Sequence, residues 1–241
     1  MISFIIPARN EEALLGQTLD AILQAAPALK TEFEIIVVND ASTDATALIA
    51  QSRGATVVHV ELRKISAVRN AGARQSRGDL LIFVDADTVV NAEVLLAVQK
   101  AVADGAVGGG ARIRCDAGTP LIGRMIVWVF MQIWFGLARW AAGCFVFARR
   151  DAFEKIGGFD ERYYATEEMH ISRALKWQGR FKIVRGHVVT SGRKLRMYTL
   201  GQNLWLIVRL SFRGIRGYQR KEGLGYWYED RRETDGKREK T

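Results

Sequence analysis

Cysteine and proline are scarce in this chain of 241 residues, which contains two of the former and three of the latter. Cys115 and Cys144 lie far apart without a metal-type spacing, so we expect neither a thiolate metal site nor a disulfide framework. The few prolines and the lack of low-complexity sequence argue against long flexible linkers. With 49% hydrophobic residues, the chain is expected to form one large domain or two small ones around a substantial core.

Targeting and membrane-spanning signals are also lacking. The chain opens with strand-like residues and has no basic region followed by a small-residue cleavage site, which predicts a cytoplasmic protein. The most apolar segment, residues 121–138, has a charge-free span between Arg124 and Arg139 that is shorter than the roughly 20 residues of a bilayer crossing. This leaves a buried helix, a helix at the membrane interface or a homodimer contact, and we favour contact with membrane or partner.

The charge is biased to the positive side, with 35 Lys and Arg against 26 Asp and Glu and a net charge of +9. Basic residues concentrate after Arg112, and in residues 209–240 they alternate with tyrosine, tryptophan and glutamate. Such a surface attracts the phosphates of a nucleotide, a nucleic acid or an anionic lipid. For the last dozen residues a solvated tail is an equally good explanation. With the amphipathic residues 200–212, these features predict peripheral contact with the inner face of the cell membrane.

Short apolar runs alternate with segments of helical periodicity over the first half of the chain. This alternation predicts an α/β fold with a mostly parallel central sheet flanked by helices, and apolar or amphipathic helices in the C-terminal half. The glycines at 108–110 lack the flanking strand and helix of a dinucleotide fingerprint, so we interpret them as structural. Strands are predicted at residues 2–6, 33–38, 55–60, 80–84, 106–113 and 142–150, and helices at 11–25, 45–53, 66–76 and 92–103.

The apolar run at 80–84 ends abruptly in Asp85 and Asp87. A strand whose residues are apolar on both faces is expected to be buried on both sides. Open α/β sheets bind ligands at the carboxyl ends of such strands. Two acids separated by one residue can hold a hard divalent cation through oxygen. On these residues alone, a turn capped by aspartates explains the triplet equally well.

A second acidic pair, Glu167 and Glu168, precedes a segment with helical spacing of its apolar residues. Negative charge is favourable in the first turn of a helix, so the pair needs no function to explain it. The alternative is that one of the two carboxylates lies in a cleft and acts as a general base.

Five motifs follow one another along the chain and together carry a resemblance. They are residues 5–12 (IIPARNEE), 37–44 (VVNDASTD), 67–72 (AVRNAG), 85–87 (DAD), and 157–161 (GGFDE) with the pair at 167–168. This series resembles the family 2 glycosyltransferases, inverting enzymes with the nucleotide-diphospho-sugar transferase fold called GT-A. The resemblance implies a nucleotide-sugar-binding half at residues 1–114 and an acceptor-side half of the same domain at 115–195. Residues 196–241 would add an amphipathic helix and a basic tail.

The resemblance also implies roles for individual residues. Asp87 would bind Mg²⁺ or Mn²⁺ together with diphosphate oxygens and water, and Asp85 would contact the ribose. His187 is a candidate further metal ligand, although a strand-edge position without a role explains it equally well. The other nucleotide-sugar-binding candidates are Pro7, Ala8, Arg9 and Glu11 on the loop after the first strand, with Asp40, Ser66, Arg69, Ala86 and Arg193.

Catalysis by such an enzyme needs a base for the acceptor oxygen, and the resemblance assigns this role to Glu168, with Glu167 orienting the sugar or acceptor. The family usually has aspartate where this chain has Glu168, so the carboxylate lies one methylene further out. The Gln-x-x-Arg-Trp motif of processive synthases is missing. We therefore expect transfer of one sugar from a UDP or GDP donor to a hydroxyl or lipid-linked acceptor, such as polyprenyl phosphate.

The alternative hypothesis is a non-catalytic basic module that binds membrane or nucleic acid. Such a module would keep its binding in the Asp87→Ala variant and would not respond to divalent metal. For the enzyme, we expect no specific nucleic-acid partner.

Overall fold

The computed structural model of the chain describes residues 1–121, 123–125, 128–129 and 139–197. Within these residues the strands are β1 (Ile2–Ala8), β2 (Phe33–Asp40), β3 (Thr56–Val60), β4 (Leu80–Val84), β5 (Thr88–Val89), β6 (Ala106–Cys115), β7 (Phe145–Arg149) and β8 (Arg180–Thr190). The α-helices are α1 (Leu15–Ala25), α2 (Thr46–Ser52), α3 (Ile65–Gln75), α4 (Ala92–Ala103), α5 (Arg150–Lys155), α6 (Glu167–Gln178) and α7 (Arg193–Met197), and a 3₁₀ helix covers Ala26–Leu29.

The eight described strands form one sheet in the order β3-β2-β1-β4-β7-β6-β8-β5. Strands β1 to β4 pair in parallel, as their alternation with helices predicts. Strand β7 is antiparallel to both of its neighbours, β4 and β6, whereas β8 is parallel to β6 and antiparallel to β5. The carboxyl ends of β1, β2 and β4 therefore meet at one edge of the sheet, beside the mixed half.

Two apolar cores lie on opposite faces of this sheet, and β4 contributes to both. Leu80, Ile82 and Val84 belong to the core that includes residues of α1 and α4, while Leu81 and Phe83 belong to the core with residues of α3 and α6. All five residues of β4 are buried. This confirms the prediction of a strand without a wet face, because alternate side chains of a strand point to opposite sides.

The strand boundaries differ from the predicted ones at the edge where β1 and β2 end. Pro7 and Ala8 were predicted on a loop, but they are buried in β1 and pair with Val38 and Asn39 of β2. Pairing of β1 with β4 ends at Ile5, so the missing N–H of Pro7 removes no hydrogen bond to β4. Strand β2 likewise runs two residues further than predicted and includes Asp40.

The glycines at 108–110 are structural, as interpreted from the sequence. A Cβ on Gly109 would lie 1.8 Å from the carbonyl oxygen of Lys182 in β8, and one on Gly110 would lie 2.7 Å from the Cβ of Ala141. Strand β6 is paired on both sides at this point, so the backbones approach too closely for a side chain.

The described residues of the apolar segment, 121, 123–125 and 128–129, are helical. Leu121, Met125, Trp128 and Val129 expose between 48% and 78% of their surface. In the described parts of the chain, no helix has the length and apolar character required to cross a membrane. The predicted helix at 200–212 and the basic tail lie outside the described residues. The predicted division near residue 114 falls inside β6, and it stays a prediction.

Candidate active site

The Asp85–Ala86–Asp87 triplet lies at the carboxyl end of β4 and is fixed from two directions. The backbone N–H of Asp85 donates to the carbonyl of Cys144, at 3.1 Å. Ala86 is buried, and its carbonyl accepts a hydrogen bond of 2.9 Å from the Thr18 hydroxyl of α1. Because the central residue faces the core, the aspartates on either side keep partly exposed carboxylates, 33% for Asp85 and 17% for Asp87.

Asp87 belongs to an outer triad that we define as Glu11, Asp87 and Arg193. The guanidinium of Arg193 donates to both carboxylate oxygens of Glu11, with Nη1 2.7 Å from Oε2, and its Nη2 lies 3.4 Å from Oδ2 of Asp87. All three side chains are at least four-fifths buried. Burial acts to lower the pKa of Arg193, but Glu11 and the two aspartates outweigh it and raise that pKa. The sheet edge is therefore built to hold positive charge between two carboxylates.

Asp85 belongs to an inner triad that we define as Arg69, Asp85 and Glu167. Arg69 lies on α3 with 2% of its side chain exposed. Its Nη1 donates to Glu167 Oε1 at 2.7 Å, and its Nη2 donates to Asp85 Oδ1 and to the carbonyl of Gly143, both at 2.8 Å. The sequence predicts Arg69 beside a diphosphate, whereas the structure shows its guanidinium bound to two acids below the surface.

Glu168 follows this triad and is the most perturbed acid described at the site. Its side chain is partly buried, and Gly143 lies close to its carboxyl carbon, with an added Cβ 3.8 Å away. Burial, and next the negative charge of Glu167, raise the pKa of Glu168 from 4.5 to about 8. A carboxyl with a pKa near neutrality is suited to accept a proton in a reaction at physiological pH.

The acidic pair is presented by an unusual backbone. Thr166, which precedes α6, has φ 65°, in the left-handed region that a β-branched residue rarely adopts. Its side chain makes no cap to the helix. Strain of this kind persists where the surroundings determine the conformation, and here it sets the direction in which Glu167 and Glu168 leave the chain.

Loops after β1 and β2 are fastened to each other and form the wall beside the outer triad. The N–H of Glu11 donates to the Thr46 hydroxyl at 2.8 Å, and the N–H of Thr43 donates to the Asn10 side chain at 2.8 Å. Arg9 is half-buried at the start of this wall. The contacts fix the position of Glu11, because they hold its backbone against the start of α2.

Asp40 is buried at the end of β2, and the structure gives it an anchoring contact. Its carboxylate accepts from the backbone N–H of Leu62 at 2.7 Å and from that of Arg63 at 2.9 Å. These bonds hold the loop between β3 and α3. Contact of Asp40 with a nucleobase stays a prediction.

Ser66 and the neighbouring Asn70 of α3 dock the loop that carries the GGFDE motif. The Ser66 hydroxyl is buried and donates to the carbonyl of Tyr163 at 3.4 Å. Asn70 receives a bond from the N–H of Phe159 and donates to its carbonyl, both at 2.9 Å. Sequence reasoning did not single out Asn70, although it lies within the quoted AVRNAG motif. Its role is shown by this reciprocal pair of hydrogen bonds with Phe159, which is visible only in the folded chain.

His187 lies on β8 opposite Arg112, and its carbonyl accepts from the Asn91 side chain at 2.9 Å. The β8 residue that reaches Asp87 is Thr190, whose hydroxyl lies 3.4 Å from Oδ1. The metal role of His187 therefore stays a prediction without a contact to carry it.

Metal binding by protein side chains alone is not indicated. In the described ranges, no three His, Cys, Asp or Glu side chains cluster as a metal site would require. A magnesium-type ion often takes one or two carboxylates and completes its shell with substrate phosphates and water. The outer triad offers that donor set, since its two carboxylates, Asp87 and Glu11, lie against one guanidinium at the sheet edge.

Comparison with known proteins finds similarity both in sequence and in structure. The sequence model of Glycosyl transferase family 2 matches residues 3–157. The 4,4'-diaponeurosporenoate glycosyltransferase of Staphylococcus aureus (strain MRSA252) is 49% identical over 59 residues, which are 24% of this chain and 15% of that protein. The match therefore covers only a small part of that relative's length.

Solved structures are similar over most of the chain. The mannosyltransferase PcManGT of Pyrobaculum calidifontis, in complex with GDP-Man and Mn²⁺, has a TM-score of 0.66 and 23% identity, covering 86% of this chain and 60% of its own. Staphylococcus aureus TarS 1–349, in complex with UDP-GlcNAc, has a TM-score of 0.61 and 18% identity, covering 87% of this chain and 64% of its own. At these identities the likeness concerns the fold, and it confirms the predicted GT-A architecture.

Proposed function

The chain belongs to glycosyl transferase family 2, and from this premise we propose that it transfers one sugar, with inversion, from a UDP or GDP donor to a hydroxyl or lipid-linked acceptor. The observation that carries the proposal is the outer triad, in which Asp87 and Glu11 hold the guanidinium of Arg193 between them at the carboxyl end of the parallel strands. That edge is where sheets of this kind bind their ligands. Family membership favours the enzyme over a non-catalytic binding module.

The proposed donor site uses Asp87 for Mg²⁺ or Mn²⁺, which would neutralise charge on the departing diphosphate. Arg193 is proposed to bind the diphosphate, because a planar guanidinium can donate two hydrogen bonds to phosphate oxygens. Binding of nucleotide by this chain is supported by the relatives, one of which is described in complex with GDP-Man and Mn²⁺ and another with UDP-GlcNAc.

Transfer with inversion requires the acceptor oxygen to attack the anomeric carbon on the side opposite the diphosphate. We propose that Glu168 accepts the proton of the acceptor hydroxyl as the new C–O bond forms and the bond from the sugar to the diphosphate oxygen breaks. Burial and the charge of Glu167 raise the pKa of Glu168 to about 8, which supports this role. For an acceptor that is already an ionised phosphate, no base is needed.

A lipid-linked acceptor is proposed from the exposed apolar residues at Leu121, Met125 and Trp128. They lie at intervals of four and three residues, which places them on one side of a helix. Tryptophan is suited to the headgroup region of a bilayer, and the net charge of +9 favours an anionic surface. Peripheral contact at the inner face of the cell membrane would bring such an acceptor to the enzyme.

The donor proposal is tested by thermal unfolding with UDP, GDP, UDP-GlcNAc or GDP-Man, each with and without Mn²⁺. A ligand at 100 times its Kd stabilises the native state by about 2.7 kcal/mol, so we expect a higher Tm with the matching nucleotide and metal together. Asp87→Asn should abolish this rise, whereas Asp104→Asn, at an exposed position beyond α4, should retain it. If no nucleotide raises the Tm in the presence of metal, the donor proposal is wrong.

The same measurement separates binding from catalysis. Glu168→Gln should keep the metal-dependent rise in Tm, while turnover of the donor identified in the screen falls by roughly a thousandfold, in the range seen for loss of a general base. Full turnover by Glu168→Gln would place the base elsewhere.

A further inference from the structure

We propose that Arg69 is a positioning residue that never touches the donor and that instead couples Asp85, on the donor side, to Glu167 and through it to the base Glu168. This inference rests on the proposed function and adds to it a residue that controls the base from below the site. The geometry of the inner triad carries it.

Arg69 is enclosed on all sides that the structure describes. Its side chain is 2% exposed, and its guanidinium carbon lies 5.3 Å from the ring centroid of Phe159. Both terminal nitrogens are engaged by Glu167, Asp85 and the carbonyl of Gly143. A diphosphate therefore cannot reach the guanidinium without breaking buried ion pairs, and breaking such pairs is strongly destabilising.

The partners of Arg69 come from three separate parts of the site. Asp85 follows the last residue of the central strand β4, Gly143 lies two residues before β7, and Glu167 begins α6. One rigid guanidinium thus fixes the spacing between the donor-side acid and the helix that presents the base. A lysine cannot reproduce this, because its ammonium is a point charge without the planar fork.

The arrangement is not explained by stability alone. Among the described residues, the buried Nε of Arg69 has no hydrogen-bond partner, and the helix that begins at Glu167 follows the strained backbone of Thr166. Buried charges and strained residues are costly, and they are retained most often at functional sites. A buried charge and a strained residue both occur at the inner triad, next to the proposed base.

Arg69 also acts on Glu168 through charge. The charged groups that face Glu168 are Glu167 on its own helix, Arg69 on α3 and Asp85 after β4. After burial, Glu167 is the main cause that raises the pKa of Glu168; Asp85 raises it further, and Arg69 lowers it. Loss of the negative charge of Glu167 should therefore lower the pKa of Glu168, whereas loss of the positive charge of Arg69 would raise it.

The experiment compares Glu167→Gln and Arg69→Lys with the unmodified chain. Complete removal of the charge, as in Arg69→Met, would leave the buried Glu167 and the partly exposed Asp85 unpaired and is expected to destabilise the chain strongly. The first readout is the titration of the Glu168 carboxyl, followed by ¹³C NMR on glutamate-labelled protein without donor or metal and assigned with Glu168→Gln. The second is the pH profile of turnover with the donor that the thermal screen identifies.

We expect Glu167→Gln to shift the Glu168 titration, and the rising limb of the pH profile, down by roughly one pH unit. Arg69→Lys keeps the positive charge and should leave the titration close to that of the unmodified chain, but it should lower the plateau rate about tenfold or more, because without the planar fork the base is held less accurately. Matched controls are Glu93→Gln, in the first turn of α4, and Arg74→Lys, exposed on α3. Both should behave as the unmodified chain.

The inference is overturned if the folded Glu167→Gln variant titrates as the unmodified chain does. It is also overturned if the folded Arg69→Lys variant reaches the plateau rate of the unmodified enzyme. Its failure is distinguishable from failure of the proposed function, since a chain without turnover at any pH can still show the downward shift of the Glu168 titration in Glu167→Gln.

Discussion

At the scale of single residues, two arginines organise the site: Arg193 joins Glu11 to Asp87, and Arg69 joins Asp85 to Glu167. The acids Asp85, Asp87 and Glu168 were identified from their motifs, and the structure places them at one edge of the sheet. The direction of the Arg69 guanidinium could not be read from AVRNAG, because an arginine at a helix start can face a ligand or the interior. Glu11 and Arg193 are 182 positions apart, and sequence spacing carries no information on such a pair.

A prediction at this scale concerns the effect of pH on stability. The pKa of Glu168 is raised from 4.5 to about 8 by burial and Glu167, so between these values the native state binds a proton that the unfolded chain has lost. The contribution of Glu168 to the free energy of unfolding is therefore fully present below pH 4.5 and is lost as pH rises through 8. The Glu168→Gln variant lacks this carboxyl, so its free energy of unfolding does not include this pH-dependent contribution.

The measurement is urea unfolding of both proteins at several pH values between 5 and 8.5. The stability of the unmodified chain should fall relative to that of Glu168→Gln as the pH rises through this window. A difference that does not change with pH would show that Glu168 titrates normally.

At the scale of elements, the alternating half of the fold followed from periodicity, with boundaries displaced by one or a few residues. Strand β5 has two residues, which is too short to produce a pattern. Strand β8 has Lys182 and Arg185 on exposed positions and a register shift opposite Ala111 and Arg112. A shift of this kind breaks the alternation by which a strand is recognised, so β8 could not be predicted.

Packing of α3 on the sheet allows a prediction about Gly72. A Cβ at this position would lie 2.4 Å from Cγ2 of Ile5 and 2.7 Å from Cγ2 of Val38. Overpacking of a core costs about 1–3 kcal/mol, which exceeds the roughly 1 kcal/mol that alanine gains over glycine in a helix. Gly72→Ala should therefore lower the free energy of unfolding, as measured by urea denaturation.

Gly16 on α1 is the matched control, because a Cβ there would meet the end of the flexible Arg53 side chain, at 3.0 Å. Gly16→Ala should leave stability unchanged or raise it by roughly 0.5–1 kcal/mol. Equal effects of the two substitutions would mean that α3 does not pack on β1 and β2 as described.

At the scale of the whole molecule, the positive charge and the exposed apolar residues combine into the proposed membrane contact. The sequence predicted the charge, but it could not show that Leu121, Met125 and Trp128 are exposed within the described part of the chain. Among the described residues, two tryptophan side chains are highly exposed, Trp128 at 62% and Trp177 at 89%. The two positions provide a comparison in which side-chain chemistry is the same and location differs.

We expect the chain to co-sediment with vesicles that contain anionic lipid more strongly than with neutral ones, and less strongly as salt is added. Burial of a large apolar side chain contributes about 1.5–3 kcal/mol. Trp128→Ser should therefore weaken vesicle binding by roughly tenfold or more, while Trp177→Ser should not. Equal losses in the two variants would argue against the helix at Trp128 as the contact.

The outer triad joins distant parts of the chain, and this has a consequence for biosynthesis. Glu11 and Asp87 leave the ribosome well before Arg193, and β8, which pairs with the short strand after Asp87, also emerges late. While translation continues, the two acids lack the guanidinium that joins them in the finished molecule. The proposed donor site is thus expected to be the last part of the sheet to mature on the nascent chain.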